Sequence, residues 1–313
     1  MVDDEHFDCD LLIALPDTEL ISASVLTGGL TNRCWKLTLF HPSINHSKEY
    51  VWRPFSTSTQ VFGIERQHEY QLLSMIADTE LAPKPLQLVV SAEPSAEKST
   101  SQPTTQVIGL VVEWLSGVEA TTVFSDQRLC QLQAKVHQLP LPWWRLDVHQ
   151  RAEHYWQYLH TDHHTSSLFS IYRFFQSQPL PVAFDDCCCH FDLGRYNVIV
   201  PSINTDTIAS AKIIDWEYAA AGDPSLDLAM TIIANELDIE QVVNDYCDYR
   251  ALINDETVFN KQQWLAAVIA WQPWCQYLAL LWYLVGYDIW QQPEYLRQAS
   301  QLQQQLIEYI NNC

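Results

Sequence analysis

The sequence predicts an α+β protein in two parts, an N-terminal antiparallel sheet with one helix and a mostly helical remainder. Three observations carry this. Short strand-like runs separated by turn residues fill the first part, one stretch at helical spacing follows the third of them, and beyond Gly117 the pattern changes to long helical segments. The boundary is therefore placed there, giving an N-terminal lobe of residues 1–116 and a helical C-terminal lobe of residues 117–313.

The strands are taken in order. "LISASVL" ends at Leu26, "RCWKLTLF" at Phe40 and "EYVWRPF" at Phe55, with Gly28, Gly29, Thr31 and Asn32 supplying turn residues between the first two. In "GIERQHEYQLLSMIA" the residues Ile64, His68, Leu72, Met75 and Ile76 recur near helical spacing, which predicts one helix. "PLQLVVS" and "VIGLVVEWL" read as adjacent strands joined by a long polar loop from Ala92 to Gln106. In the second part "FSDQRLCQLQAKVHQL", "QRAEHYWQYLH" and the stretch from Trp264 to Tyr287 read as helices, whereas "YNVIV" and "AKIID" read as a small hairpin.

Composition narrows the function classes. A hydrophobic content of 48% over 313 residues supports a sizeable core. Seventeen basic against 38 acidic residues give a formal charge of −21, which repels nucleic acid and anionic lipid and attracts cations. No apolar run reaches the length of a membrane span, and the acidic start "MVDDEHFDCD" is unlike a secretory signal, so the expected location is the cytoplasm. Nine cysteines, three of them consecutive at Cys187, Cys188 and Cys189, fit reduced thiols better than a disulfide framework and are expected to be small buried hydrophobes. His160, His163 and His164 lack the companions of a structural zinc site.

The chemistry concentrates in "CHFDLGRYNVIV", where His190, Asp192 and Asn197 stand at the spacing H-x-D-x-x-x-x-N. By average residue usage this spacing arises in about one chain in a hundred of this length. In phosphoryl transfer a carboxylate orients the attacking hydroxyl and accepts its proton, while a carboxamide and a second carboxylate hold magnesium. Asp192, Asn197 and Asp215 supply those groups in that order, Asp215 ending the apolar run "AKIID".

"HFDLGRYN", the following "IIDWEYAAAGDPSLDLA" and the sheet-then-helix region upstream resemble the aminoglycoside phosphotransferase and choline kinase superfamily, over nearly the whole chain. The resemblance implies the two-lobed protein-kinase-like fold and ATP and magnesium as requirements. It further implies Asp192 as catalytic base, Asn197 and Asp215 as magnesium ligands, and His190 as a brace of the catalytic loop. Arg195 replaces a residue of the family's usual His-Pro-Gly and faces either the transferred phosphate or solvent. "TGGLTN" is similar to the loop over the phosphates, with Gly28, Gly29, Thr31 and Asn32 in it. Arg53 in "EYVWRPF" stands where a phosphate-pairing cation is expected, with Glu69 as its partner and Glu65 as second choice. "VVEWLSG" resembles the hinge, where backbone groups from Glu113 to Leu115 meet adenine. Gly222, Asp223, Pro224 and Asp227 match a run that opens a helix; Asp227 is expected to be structural, Asp223 is either structural or near the substrate, and Glu217 is expected near the substrate.

Substrate choice rests on stretches such as "WQPWCQYLALLWYLVGYD", which look most like bacterial thiamine kinases, then choline and ethanolamine kinases. A cationic alcohol suits the faces of tryptophans. Trp271, Trp274 and Trp282 share one helix face, which is either core or a substrate cage. The expected function is magnesium-dependent transfer of the ATP γ-phosphate to such an alcohol, thiamine ahead of choline or ethanolamine, with no nucleic acid or membrane partner. An antibiotic-modifying phosphotransferase and a catalytically silent nucleotide-binding protein are the alternatives.

Overall fold

The computed structural model describes residues 15, 17–26, 34–91, 106–122, 124–202, 210–254 and 259–312. Gly28, Gly29, Thr31 and Asn32, and the loop from Ala92 onward up to residue 105, lie outside the described residues. The chain divides into two compact units: Met1–Gln60 with Ile64–Ser116, and Val61–Gly63 with Gly117–Cys313.

The first unit is a five-stranded antiparallel sheet of β1 (Glu19–Val25), β2 (Trp35–His41), β3 (His46–Pro54), β4 (Pro85–Ser91) and β5 (Gln106–Glu113), in the order β1-β2-β3-β5-β4. Period-two alternation puts Leu37 and Leu39 of β2 and Tyr50 and Trp52 of β3 on one face, where they form a buried cluster with Val89, Val111 and Leu15. Two helices follow β3, the short α1 (Thr57–Val61) and α2 (Arg66–Met75), which buries Leu72 and Leu73.

The second unit is mostly helical: α3 (Asp126–Val136), α4 (Val148–Tyr158), α5 (Ser166–Ser177), α6 (Pro224–Ala234), α7 (Ile239–Asn254), α8 (Lys261–Trp290) and α9 (Pro293–Asn312). Side-chain caps start several of them. Ser125, Asp147, Thr165 and Asn260 each accept a hydrogen bond from a backbone N–H of the first turn, satisfying one of the donors a helix start leaves orphaned. The 30-residue α8 buries residues all round its surface, from Trp264 and Trp271 to Leu284 and Val285, and so serves as the unit's central packing element.

Two small sheets carry the loops of interest. β7 (Cys187–Cys189) pairs antiparallel with β10 (Ala220–Gly222). β8 (Val198–Val200) pairs with β9 (Lys212–Ile213), the expected hairpin, and with β6 (Val118–Glu119) on its other side, a third strand the hairpin reading lacks. β6 comes this close because Gly117 precedes it: a Cβ there would lie 2.3 Å from the Val200 carbonyl oxygen.

Candidate active site

The loop between β7 and β8 carries His190, Asp192 and Asn197, and the segment between β9 and β10 carries Asp215 and Glu217. The anchor of the first loop is Asp227, fully buried in the first turn of α6. Its Oδ1 accepts the Phe191 N–H at 2.7 Å, while its Oδ2 accepts the His190 N–H at 3.2 Å and lies 2.8 Å from His137 Nε2. Burial works to raise the Asp227 pKa, but these donors, His137 first, outweigh it and hold the carboxyl below the ordinary aspartate value. Phe191 adopts φ 61° and Asp215 φ 63°, so two non-glycine residues sit in the left-handed region on either strand-to-loop transition, a strained arrangement that the surrounding contacts must hold.

His190 is fully buried. Its Nδ1 accepts the Asp192 N–H at 3.3 Å and its Nε2 donates to the Ile214 carbonyl at 3.1 Å, with the ring edge-on to Trp216 at 4.7 Å. The imidazole therefore links the two loops, one residue short of Asp215.

Asp192 is half-buried and held at both oxygens. Asn197 Nδ2 donates to its Oδ2 at 3.0 Å and to its backbone carbonyl at 2.9 Å, and the Tyr196 hydroxyl donates to its Oδ1 at 2.7 Å. Burial pushes the Asp192 carboxyl up to about 8, helped by the charges of Asp215 and Glu217 and opposed by the hydrogen bonds from Tyr196 and Asn197. Tyr196, which the sequence places at the start of a strand, instead lies in the turn that precedes β8. Its ring folds back against Gly194, where a Cβ would lie 2.0 Å from Tyr196 Cε1. The spacing alone gives no sign of this contact, because it depends on the turn.

Four residues weighed as functional are placed elsewhere. The Arg195 guanidinium is ion-paired with Asp126 and donates through Nε to the Phe124 carbonyl at 2.8 Å; it faces neither open solvent nor the Asp192 carboxylate but ties the loop to the start of α3. Asp223 caps α6: Oδ1 accepts from the Ser225 N–H and hydroxyl, Oδ2 from the Ala183 and Phe184 N–H groups, so its acceptor capacity is committed to backbone and cap. Trp271 and Trp274 are core, Trp274 packing edge-on against Phe175 of α5 at 5.0 Å.

Trp282 separates from them. It donates through Nε1 to the Tyr218 hydroxyl at 3.2 Å and joins an aromatic cluster with Phe62, Trp290 and Tyr295, in which Phe62 and Trp290 stack at 5.2 Å. The charge of buried Glu217 adds to the upward push that burial exerts on Asp192 and Tyr218. Helical phase put three tryptophans on one face, but α8 is long enough for that face to meet different neighbours along its length.

In the N-terminal unit, Arg53 Nε on β3 lies 2.8 Å from Glu69 Oε1 on α2, and Arg66 Nη1 lies 2.5 Å from Glu69 Oε2. All three are buried, so the Glu69 charge is offset by two cations where one was expected. Glu65 precedes α2 as its N-cap residue. Glu113 ends β5, bonded through its N–H to the Lys84 carbonyl and through Oε2 to the Lys84 N–H, and Leu115 follows it half-buried.

Comparison with known proteins accords with this arrangement. A model of the family described as "Phosphotransferase enzyme family" matches residues 25–256. The thiamine kinase of Escherichia coli (strain K12) is 28% identical over 200 residues, covering 63% of this chain and 68% of that protein. Among solved structures, the choline kinase LicA from Streptococcus pneumoniae has a TM-score of 0.62 at 16% identity, covering 96% of this chain and 97% of that one. The spectinomycin phosphotransferase APH(9)-Ia, in complex with ADP and spectinomycin, has a TM-score of 0.55 at 11% identity, covering 95% of each chain. With a family match over more than half its length, the two-unit α+β architecture and the carboxylates gathered at Asp192 and Asp215, this chain belongs to the phosphotransferase enzyme family, as an ATP-dependent kinase of small molecules with the kinase-like fold.

Proposed function

We propose that the enzyme transfers the γ-phosphate of ATP to the hydroxyl of a small cationic alcohol, thiamine ahead of choline and ethanolamine. The observation that carries this reading is the Asp192 carboxylate, held by Asn197 and Tyr196 in a loop braced through His190 against the segment that bears Asp215. A carboxylate fixed in that way is suited to orient an alcohol for in-line attack and to receive its proton at an oxygen.

The donor set suits magnesium. Asn197 Nδ2 is committed to Asp192, which leaves Oδ1 as the ligating atom, and Asp215 adds a carboxylate; both are hard oxygens of the kind magnesium takes. When bound, the ion offsets the charge of the phosphate oxygens. Asn197 then has two tasks, ligation through Oδ1 and alignment of the base through Nδ2. In the N-terminal unit Arg53, ion-paired with Glu69, is a cation of the kind that pairs with nucleotide phosphates.

The preference for a cation is supported by the aromatic residues Trp282, Tyr283 and Trp290 together with the buried Glu217 carboxylate, groups that favour a positive, weakly hydrated centre. Thiamine comes first because the similarity in sequence is to thiamine kinases. The test is ADP release with thiamine, choline, ethanolamine or spectinomycin, using Asp192→Ala as blank. Turnover led by thiamine is expected. Turnover with spectinomycin alone would overturn the substrate class, and equal rates in enzyme and blank would remove Asp192 from the chemistry.

A further inference from the structure

Behind the catalytic loop, outside the groups used above, three ligating side chains converge: His137, which follows α3, and Cys187 and Cys189 on β7, their ligand atoms all within 4.8 Å of one another. We infer that His137, Cys187 and Cys189 form a binding site for a thiophilic metal ion, zinc foremost.

The strand sets up the pair. In β7 alternate residues face the same way, so Cys187 and Cys189 present their sulfurs together while Cys188 points to the other face. The two Sγ atoms are 3.8 Å apart, and two thiolates bound at about 2.3 Å to one tetrahedral zinc stand about 3.8 Å from each other. Little movement is then needed to bring both onto one ion.

His137 is prepared in the manner of a metal ligand. Its Nε2 faces the Asp227 carboxylate at 2.8 Å, and an ionised carboxylate requires that nitrogen to donate. A donating Nε2 leaves the Nδ1 lone pair available to a metal in the neutral tautomer, and a carboxylate behind the imidazole is the usual companion of a ligating histidine. At present Nδ1 meets the Tyr246 hydroxyl at 2.6 Å. Metal binding displaces that hydrogen bond, together with those the Cys187 and Cys189 thiols donate to the Cys188 and Gly222 carbonyls, and releases the two thiol protons to solvent as the thiolates form. Two sulfurs and an imidazole select zinc or another soft ion and reject magnesium, so this site is chemically separate from the oxygens of Asn197 and Asp215. Cys189 and His137 are buried and Cys187 is half-exposed, which gives the ion a way in.

The experiment uses the reduced full-length protein, stripped with a chelator and titrated with cobalt(II) as a spectroscopic stand-in for zinc. One equivalent per chain should produce thiolate-to-cobalt charge-transfer absorption, which zinc then bleaches. Cys187→Ser and Cys189→Ser should each abolish the band, and Cys188→Ser should keep it. Should the serine variants unfold, the wild-type protein still decides: one equivalent of zinc must slow the reaction of two thiols with a disulfide reagent, and peptide mapping must locate them at Cys187 and Cys189. No charge-transfer band, a band that survives in both serine variants, or zinc protection at other cysteines overturns the assignment.

Discussion

At the residue scale, the Asp192 carboxyl illustrates how function and stability oppose one another. A carboxyl whose folded pKa is raised to about 8 from an unfolded value of about 3.9 destabilises the fold, increasingly as pH rises between those values and fully above the higher one. Asp192→Asn should therefore lower turnover by about 10²- to 10⁴-fold, the usual contribution of a general base, while raising the melting temperature by a few degrees at pH 8 and not at pH 4. Calorimetry beside the kinetic assay checks both halves. As the proposed base, Asp192 must be ionised to act, so kcat/KM should fall as pH drops below about 8. Because the Tyr196 hydrogen bond works to lower the Asp192 pKa, Tyr196→Phe should move that acidic limb to higher pH, and Gly194→Ala should do the same by pushing the Tyr196 ring aside. An unmoved profile in both variants would show that the hydroxyl does not tune the base. Much of this site was legible in the sequence, since the H-x-D-x-x-x-x-N spacing singles out the loop. The Tyr196 contact and the anchoring of Arg195 on Asp126 were not, because each depends on how a turn folds back and on a helix start about seventy positions upstream.

At the scale of elements, α6 is the piece on which the loop depends. Asp223 caps it and gathers the Ala183 and Phe184 amides, and Asp227, one turn on, gathers the next stretch of the same incoming chain. Replacing Asp227 with Asn would turn an acceptor of three donors into a group that presents an N–H to one of them. A loss of about 3–5 kcal/mol is expected, read from urea unfolding. The sign of the pH effect follows from the lowered pKa: the stabilisation is present above the ordinary aspartate value and disappears as pH falls through the folded one, so wild type and Asp227→Asn should converge in acid. Strands and helices with clear periodicity, such as β2, β3 and α3, were readable from the sequence. The pairing of β7 with β10 was not, because three cysteines and two alanines carry no alternation, and which tryptophans of α8 join the core was settled by neighbours distant in sequence.

For the whole molecule the excess of 38 acidic over 17 basic residues acts on encounter rather than on fold. The kcat/KM for a cationic alcohol should fall several-fold as salt is raised from about 0.01 to 0.15 M, where the screening length shortens from about 30 to 8 Å. A neutral alcohol of the same shape should show little change, and equal salt dependence for the two would argue against attraction of the substrate cation by the protein's field.

The buried Asp227 also bears on how the chain reaches its working form. Its partners lie 36, 37 and 90 positions away, so their union requires closing long loops and belongs to the late part of folding. The left-handed turn at Phe191, and with it the aim of Asp192, is held by the Asp227 carboxylate on α6, which His137 beyond α3 braces from behind. Competence to transfer phosphate is thus acquired together with the tertiary structure of the helical unit, and a partly folded chain carries every catalytic residue without the means to consume nucleotide.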